Sequence, residues 1–316
     1  MISDSTNTWV PSMRRYIDEE ALMKLIQRQG YLDFLRRNRE RPIIKVVSGI
    51  RRCGKSTLFR LFKDELLADN VKPEQIISIN FEELEYEHLR DYHALYQYIL
   101  ERMQPNETNY IFLDEIQHVD QFHRVVDSLF VKENTDLYIT GSNAYFMSSD
   151  IATLLTGRYV EIQMLPLSFS EFYHSKYEGN QYSLIPAYEA YLRESSFPYT
   201  QQLGGEDFDI QEYLRGLYNT LLLHDVVARL KINDVTILQD IVRYIMANIG
   251  SLLSPNKIAN SLVSAGRKID NKTVERYLQG LQDSLLLYKV NRYDVRGKEL
   301  LRINAKYYSV DVTLRN

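Results

Sequence analysis

The segment with the most chemical content runs from Gly49 to Ser56 and reads Gly-Ile-Arg-Arg-Cys-Gly-Lys-Ser. It matches the phosphate-loop pattern, in which two spaced glycines are followed by Lys and by Ser or Thr. The glycines let backbone N–H groups face phosphate oxygens, the lysine puts a positive charge on the β and γ phosphates, and the serine hydroxyl ligates Mg2+. The residues that we predict to bind nucleotide are Gly49, Arg51, Arg52, Cys53, Gly54, Lys55, Ser56 and Thr57.

A pair of carboxylates, Asp114 and Glu115, follows the apolar run Tyr110-Ile111-Phe112-Leu113. In a phosphate-loop fold, the carboxyl end of such a strand opens onto the nucleotide. Asp114 is therefore predicted to hold Mg2+ together with Ser56, and Glu115 to polarise the water that attacks the γ phosphate. The same residues are also consistent with a strand that ends in a solvated acidic turn. The presence of the phosphate loop favours a role in hydrolysis. An activated water also argues against a small-molecule kinase.

Two further positions are candidates for the γ phosphate. Thr140-Gly141-Ser142-Asn143 follows another apolar run, and a polar side chain there is expected between the phosphate loop and the acidic strand. Asn143 is the predicted catalytic residue, with Ser142 beside it, although a plain Gly-Ser-Asn turn is the alternative. Arg158 follows a glycine and is a candidate arginine finger, in cis or in trans, although a surface arginine fits equally.

The nucleobase is inferred from a missing motif. Common GTPases bind guanine through Asn-Lys-x-Asp, and the Asn-Lys pairs at Asn256 and Asn271 lack the acid. ATP and ADP are therefore the expected nucleotides, with Mg2+ as the metal. His118 and His123 are spaced so that they fall on different faces of a helix, which argues against a zinc site.

Short β-branched runs alternate with helical patterns in the first half of the chain. The runs lie at 43–47, 76–81, 110–113 and 137–140, and the helical patterns at 13–37, 58–67, 92–103 and 122–131. This alternation predicts an α/β fold of three layers around a mostly parallel sheet. The predicted domains are a phosphate-loop ATPase core at 1–165, a helical lid or linker at 166–234, and a winged-helix domain at 235–316.

The last of these domains has its own pattern. Helical stretches at 237–248, 254–263 and 271–286 precede strand-like runs at 287–293 and 306–312, the order of a winged helix-turn-helix. Residues 285–316 hold seven Lys or Arg against three acids, in a chain of net charge −4. Such a basic wing suits the phosphates of duplex DNA. The predicted DNA contacts are Arg292, Arg296, Lys298 and Arg302.

Composition limits the remaining classes of function. The 316 residues are 45% hydrophobic and 25% charged, the balance of a globular protein with two or three domains. One cysteine excludes internal disulfides and a cysteine-rich zinc site. No apolar run approaches the ~18 to 20 residues that cross a bilayer, and the polar N-terminus does not read as a signal peptide. We therefore expect no membrane association and a cytoplasmic location.

Several of these segments together resemble a known family. They are GIRRCGKST, FLDEIQ (112–117), ITGSN and LLTGRYVEIQMLPLSFSEF (154–172), with later matches at 197–198, 223–226 and 306–312. Over nearly its whole length, the chain is similar to prokaryotic AAA-type ATPases that carry a C-terminal domain of unknown function. The resemblance implies an ATP-driven switch, with a helical segment, a winged helix and then a nuclease-like domain.

Two departures from that family concern the C-terminus. The family usually reads Asp-x-Gly-Leu-Arg where this chain reads Asp311-Val312-Thr313-Leu314-Arg315, without the glycine. The sequence also ends at Asn316, before the nuclease-like domain. We therefore expect that domain to be missing and assign no nuclease residues.

Three functional interpretations remain. The first is a Mg2+-dependent ATPase that works as a switch or motor for the winged-helix region, with DNA as a candidate partner. The second is a DNA- or protein-binding module that nucleotide regulates with little turnover. The third is a regulatory or defence scaffold, for which a homo-oligomer would matter because Arg158 in trans needs a neighbouring chain.

Overall fold

The structure is a computed structural model that describes residues 25–142, 155, 157–177, 182–203, 207–232, 234–291 and 304–315. Its first half is built on a five-stranded parallel sheet. The strands are β1 (Ile44–Gly49), β2 (Ile76–Asn80), β3 (Asn109–Asp114), β4 (Thr135–Gly141) and β5 (Tyr159–Met164). The helices of this half are α1 (Gln29–Asn38), α2 (Lys55–Ala68), α3 (Tyr92–Arg102) and α4 (Phe122–Phe130).

The strands lie in the order β2-β3-β4-β1-β5. All carboxyl ends therefore meet at one edge of the sheet, and β4 lies between the strand that precedes the phosphate loop and the strand that ends in the two acids. The predicted α/β fold with a mostly parallel sheet is confirmed. The sheet order also puts the end of β4 where the sequence analysis expected a polar side chain.

Two predicted boundaries differ from the structure. β5 was not predicted, although it pairs with β1 from Ile44↔Tyr159 to Gly49↔Met164. The long helix expected at 13–37 is helical only from Gln29 within the described residues. Residues 25–28 are not helical. The Arg28 side chain at the end of this segment is hydrogen-bonded to backbone and side-chain groups far along the chain.

Both faces of the sheet are covered by apolar side chains, which explains why its strands read as continuous apolar runs. On one face, Phe59 and Phe62 of α2 pack on Phe112 and Tyr138, whose rings stack with centroids 4.7 Å apart. The other face packs against α3 and α4 and includes Ile44, Val46, Ile77, Ile79, Ile111, Leu113 and Ile139. Three layers result, with the sheet in the middle.

The second half begins with helices and ends in a small antiparallel sheet. The helices are α5 (Phe169–Tyr177), α6 (Leu184–Glu194), α7 (Asp207–Asn219), a π-helix (Thr220–Ala228), α8 (Val235–Ala247), α9 (Pro255–Ser264) and α10 (Asn271–Asp283). The strands are β6 (Leu252–Leu253), β7 (Leu287–Asn291) and β8 (Ala305–Ser309), in the order β6-β8-β7. Three helices followed by a β-hairpin is the element order that the sequence predicted. No helix among the described residues is both long and apolar enough to cross a membrane.

The caps of α9 and α10 explain where these helices begin. The Ser254 hydroxyl accepts from the Lys257 N–H at 3.2 Å, and the Asp270 carboxylate accepts from the Thr273 N–H at 2.6 Å. Each bond satisfies one free N–H of the first helical turn. The predicted DNA contacts Arg292, Arg296, Lys298 and Arg302 lie between β7 and β8, outside the described residues.

A buried carboxylate ties the end of the chain to the helical region. Asp311 is 4% exposed. Its Oδ2 accepts from the Ser195 hydroxyl at 2.9 Å, from the Ser196 N–H at 2.6 Å, and from the Ser196 hydroxyl. Its Oδ1 accepts from the N–H of Thr313 at 2.7 Å and from its hydroxyl. Thr313 thus helps to satisfy the carboxylate.

Replacing this carboxylate is expected to weaken the fold. Asp311→Ala leaves buried donors of Ser195, Ser196 and Thr313 without their acceptor, so we expect the free energy of unfolding to fall by about 3 kcal/mol. Urea denaturation measures the loss, with the exposed Asp209→Ala as control. Equal midpoints for the two variants would contradict this role for Asp311.

Candidate active site

The phosphate loop joins β1 to α2, and both of its glycines are needed sterically. A Cβ at Gly49 would lie 2.4 Å from the backbone oxygen of Met164, closer than real side chains approach. Gly54 has φ +104°, in the region that favours glycine. The loop therefore fits closely beside β5 and turns directly into α2, whose N–H groups are available to an anion.

Lys55 lies at the centre of the site and is buried. Its Nζ donates to the carbonyl of Gly49 at 3.0 Å and forms an ion pair with Glu115 Oε1 at 3.0 Å. Burial disfavours the charge on Lys55, but the charge and hydrogen bond of Glu115, together with the charges of Cys53 and Asp114, outweigh it and raise the pKa of Lys55. The lysine is therefore charged and joins the phosphate loop to the end of β3.

Asp114 and Ser56, the two residues expected to hold Mg2+, lie close together. The Ser56 hydroxyl lies close to the Asp114 carboxylate, and the Thr140 hydroxyl donates a hydrogen bond to the same carboxylate. Burial raises the pKa of Asp114, and the two hydroxyl donors partly offset it. A hydroxyl and a carboxylate are the oxygen ligands that Mg2+ prefers, so these two residues fit the metal that the sequence implied.

Glu115 is fixed in place by contacts of its backbone N–H and of both of its carboxylate oxygens. Its φ of 54° is a left-handed conformation that is uncommon outside glycine, of the kind found at functional sites. Its N–H donates to Thr140 Oγ1 at 2.8 Å, and its Oε2 accepts from Gln117 Nε2 at 2.5 Å. Burial opposes the charge of this carboxylate, but Lys55 and the hydrogen bonds from Gln117 and Ser142 outweigh it, so the pKa of Glu115 is lowered.

Among the polar residues that follow β4, Ser142 reaches the same site. It is 2% exposed, and its Oγ lies 3.2 Å from Gln117 Nε2. The predicted catalytic Asn143 lies outside the described residues. Sequence pattern alone gives no role to Thr140 or Gln117. Both belong to quoted motifs, ITGSN and FLDEIQ, but only the sheet order brings them to Glu115.

Arg158 lies far from the phosphate loop of its own chain. Its carbonyl accepts from the Ile44 N–H at 2.8 Å, at the start of β1. Gly49 is five residues further along that strand, roughly 16 Å away at about 3.3 Å per residue. The side chain pairs with Asp127 instead. The cis alternative for an arginine finger therefore has no support, because β5 runs parallel to β1 and leaves its first residues at the opposite edge.

The other residues of the loop have distinct surroundings. Arg51 lies 3.2 Å from Glu82 Oε1 and 3.9 Å from Asp225 Oδ2 of the π-helix. Arg52 is exposed and has φ 68°. Cys53 is fully buried, and burial raises the pKa of its thiol, which disfavours the reactive thiolate.

Arg28 links the loop to the helical region. Its guanidinium donates to the carbonyls of Cys53 at 3.2 Å, Leu165 at 2.6 Å and Pro166 at 3.1 Å. It also binds both carboxylate oxygens of Glu171 in α5, at 2.8 and 2.9 Å. A paired, bidentate arginine of this kind holds its partners in one geometry, so the phosphate loop and the start of α5 are joined rigidly.

A small, mainly apolar cleft of about 70 Å³ lies beside the loop and the first turns of α2. Thr57, predicted to bind nucleotide, is on its wall. Its other walls come from the residues before α1, from the end of β5 and from the turn that follows α6. The lining includes Leu25, Ile26, Gly54, Leu58, Leu61, Met164, Leu167, Pro198 and Gln202.

Comparison with known proteins agrees with this architecture. Residues 41–173 match an AAA domain, and residues 185–316 match a domain of unknown function, DUF8612. An uncharacterized protein of Haemophilus influenzae is 39% identical over 294 residues, which cover 92% of this chain and 73% of that protein. The chain belongs to the AAA-domain P-loop family that carries this C-terminal domain. The resemblance inferred from the motifs is thus confirmed.

Two further comparisons, one with a sequence and one with a solved structure, give more distant similarities. An uncharacterized protein of Methanocaldococcus jannaschii is 30% identical, and the match covers 85% of this chain but 60% of that protein. Among solved structures, the Walker-type ATPase PABY2304 of Pyrococcus abyssi has a TM-score of 0.62 at 17% identity, covering 92% of this chain and 95% of that one. The Pyrococcus abyssi structure and the present protein therefore share one fold, which extends over both halves of the chain.

Proposed function

We propose that this AAA-domain protein binds ATP with Mg2+ and hydrolyses it as a switch for its C-terminal region. The observation that carries the proposal is the meeting of Lys55, Ser56, Asp114 and Glu115 at one edge of the sheet. Lys55 Nζ and Glu115 Oε1 are 3.0 Å apart, and the Ser56 hydroxyl lies close to the Asp114 carboxylate. A lysine for phosphate, oxygen ligands for Mg2+ and a carboxylate for water are the parts that phosphoryl transfer to water needs.

In the proposed reaction, Glu115 orients a water molecule in line with the γ phosphate. The water oxygen bonds to the γ phosphorus, and the bond from that phosphorus to the bridging oxygen breaks, with its electron pair going to ADP. The water proton passes to Glu115 and then to inorganic phosphate, which regenerates the carboxylate. Mg2+, held by Ser56 and Asp114, would neutralise charge on the phosphates.

The Lys55 ammonium group cannot form equally strong ion pairs with Glu115 and with the phosphates at the same time. The charge of Lys55 is paired with Glu115. A β or γ phosphate carries more negative charge than one carboxylate and would draw the Lys55 ammonium toward itself. Binding of ATP would thus free Glu115 Oε1 to accept a proton from water, so that the base becomes available when the substrate is present.

The apolar cleft supports a purine base on the same face. It adjoins the phosphate loop at Gly54 and Thr57 and is bounded by Leu25, Ile26 and Met164. Aliphatic side chains of this kind suit the apolar faces of a base. With no Asn-Lys-x-Asp motif in the sequence, ATP is the favoured nucleotide.

Contact between the phosphate loop and the C-terminal half supports a switch. Arg51 of the loop approaches Asp225 in the π-helix, and π-helices often occur at functional sites. Arg28 joins the same loop to α5. Movement of the loop on nucleotide binding or release would therefore act on two elements of the second half at once.

Phosphate release is the experiment that tests hydrolysis. We expect turnover of ATP with Mg2+, none with EDTA, and slower turnover of GTP. The assay is run with and without duplex DNA and across protein concentration. A rate that rises with protein concentration would indicate assembly, and stimulation by DNA would link hydrolysis to DNA. Tight ATP binding with no turnover in any condition would favour the regulated binding module instead.

Duplex DNA is a second candidate ligand, through α10 and the segment between β7 and β8. The helix-turn-helix order of α9 and α10 places Lys272 and Arg276 on the exposed side of α10, while Val274, Tyr277 and Leu278 are buried. A helix that buries one face and exposes cations on the other can lie against phosphates or enter a groove. Glu275 on the exposed side weakens this charge.

Removing those cations is expected to weaken DNA binding and to reduce its salt dependence. For Lys272→Ala with Arg276→Ala, the slope of log affinity against log salt should decrease by about 2, one unit for each phosphate that is no longer neutralised. Fluorescence anisotropy of a labelled duplex measures it, with Lys72→Ala plus Lys132→Ala in the AAA domain as a charge-matched control. A wild-type protein that fails to bind duplex even at low salt would exclude this function.

A further inference from the structure

Gln117 adjoins the proposed base and has no role in the mechanism described so far. It lies two residues after Glu115, in the short 3-10 turn Ile116–His118. Its Nε2 donates to Glu115 Oε2 at 2.5 Å and lies 3.2 Å from Ser142 Oγ. Because a carboxylate oxygen accepts only, the amide nitrogen must face it, which orients the whole amide group.

The other end of this amide is unusual. Gln117 Oε1 is buried and has no hydrogen-bond partner among the described residues. Buried polar atoms are nearly always paired, and an exception calls for a ligand, an ion or water. The unpaired oxygen belongs to the same planar group that contacts Glu115, so a molecule that binds it would also be near the Glu115 carboxylate.

The backbone of Glu115 is what brings Gln117 into this position. The left-handed φ of 54° at Glu115 reverses the chain immediately after β3, and Thr140 Oγ1 holds the Glu115 N–H at 2.8 Å. Gln117 therefore folds back over the carboxylate instead of continuing away from it. A strained conformation kept in place by a hydrogen bond from a neighbouring strand is typical of positioned catalytic groups.

The two oxygens of Glu115 thus have different partners. Oε1 is paired with Lys55, which the phosphates would draw away, and Oε2 is held by Gln117. After Lys55 moves, Gln117 is the remaining side chain that fixes the carboxylate, apart from the contribution of Ser142. A carboxylate that rotated freely would meet the in-line water in only a fraction of its orientations.

We propose that Gln117 is a positioning residue for ATP hydrolysis: its N–H group holds Glu115, and its free amide oxygen accepts a hydrogen bond from the attacking water. This inference rests on the hydrolysis proposed above. Two acceptors, Glu115 Oε1 and Gln117 Oε1, would then bind the two protons of one water and direct its lone pair toward the γ phosphorus. Gln117 takes up no proton, so the atom balance of the reaction is unchanged.

The test replaces the amide without changing its length. Gln117→Met keeps an unbranched side chain of similar size but removes the donor and the acceptor. We expect kcat to fall about 10- to 100-fold, as for loss of one oriented group at a reacting centre. The affinity for a fluorescent ATP analogue, measured by titration, should change less than about twofold. Gln97→Met on the exposed side of α3 is the matched control.

A double variant distinguishes positioning from structure. If Gln117 acts through Glu115, adding Gln117→Met to Glu115→Gln should cause little further loss of kcat, because effects of groups that act as a unit do not add. Normal kcat in Gln117→Met would overturn the inference. So would a parallel fall of kcat, ATP affinity and the urea midpoint, since that pattern means that Gln117 only supports the fold.

The same set of variants separates this inference from the proposed function. Normal turnover in Glu115→Gln would contradict the hydrolysis mechanism itself. If Glu115→Gln is inactive and Gln117→Met is fully active, the hydrolysis mechanism stands, and only the role of Gln117 is rejected.

Discussion

Glu115→Gln is expected to bind ATP and to lose at least about 100-fold in turnover. The amide preserves the size of the side chain but cannot accept a proton from water, and general-base catalysis contributes about 10² to 10⁴ in rate. Lys55 also loses its charged partner and becomes fully available to the phosphates, so the affinity for ATP should stay the same or rise.

Two measurements on Glu115→Gln are needed together. Phosphate release reports kcat, and titration with a fluorescent ATP analogue reports affinity. Glu133→Gln is the control, because Glu133 is exposed and lies in the turn between α4 and β4. Turnover equal to wild type would remove Glu115 from the mechanism.

Lys55→Ala is expected to have the largest effect on binding. The variant loses the charge that the phosphates need and leaves Glu115 as an uncompensated negative charge in the same buried site. We expect ATP affinity to fall at least about 100-fold, equivalent to about 2.7 kcal/mol. Isothermal titration with Mg2+ and ATP measures this, and Lys63→Ala on the same helix is the control.

The ion pair adds a second consequence for Lys55→Ala. An unpaired buried carboxylate destabilises the nucleotide-free protein, so its urea midpoint should fall. Adding Glu115→Gln removes that charge and should restore the midpoint in part, while ATP binding stays weak. Independent effects of the two substitutions on the midpoint would mean that the pair does not matter for the nucleotide-free fold.

The phosphate-loop residues were predictable because their chemistry is local. Gly49 to Ser56 follow one another in the chain, and a strand, a glycine-bounded loop and a helix are all readable from short-range pattern. Asp114 and Glu115 were predictable for a related reason. The residues that follow an apolar strand of a parallel sheet lie at the carboxyl edge of that sheet. The edge at which Asp114 and Glu115 lie could therefore be predicted without knowing the strand order.

Residue roles that depend on strand order were predicted less well. Arg158 appeared in a suggestive context beside a glycine, yet the parallel pairing of β5 with β1 leaves it at the opposite edge from the loop. β5 itself is hard to predict because most of its residues are only partly buried or exposed, and its sequence does not form a continuous apolar run. Pairing between strands more than a hundred residues apart leaves no local pattern.

The sequence alone was sufficient for the α/β class, the phosphate loop, the two acids and the family, since each is encoded in residues adjacent along the chain. Tertiary structure decided which side chains share the site. The placement of β4 between β1 and β3 brings Thr140 to Asp114 and Glu115, and the left-handed turn at Glu115 brings Gln117 back to the carboxylate. Such contacts join residues whose proximity comes from sheet order and backbone reversal, and both are set by packing of the whole domain.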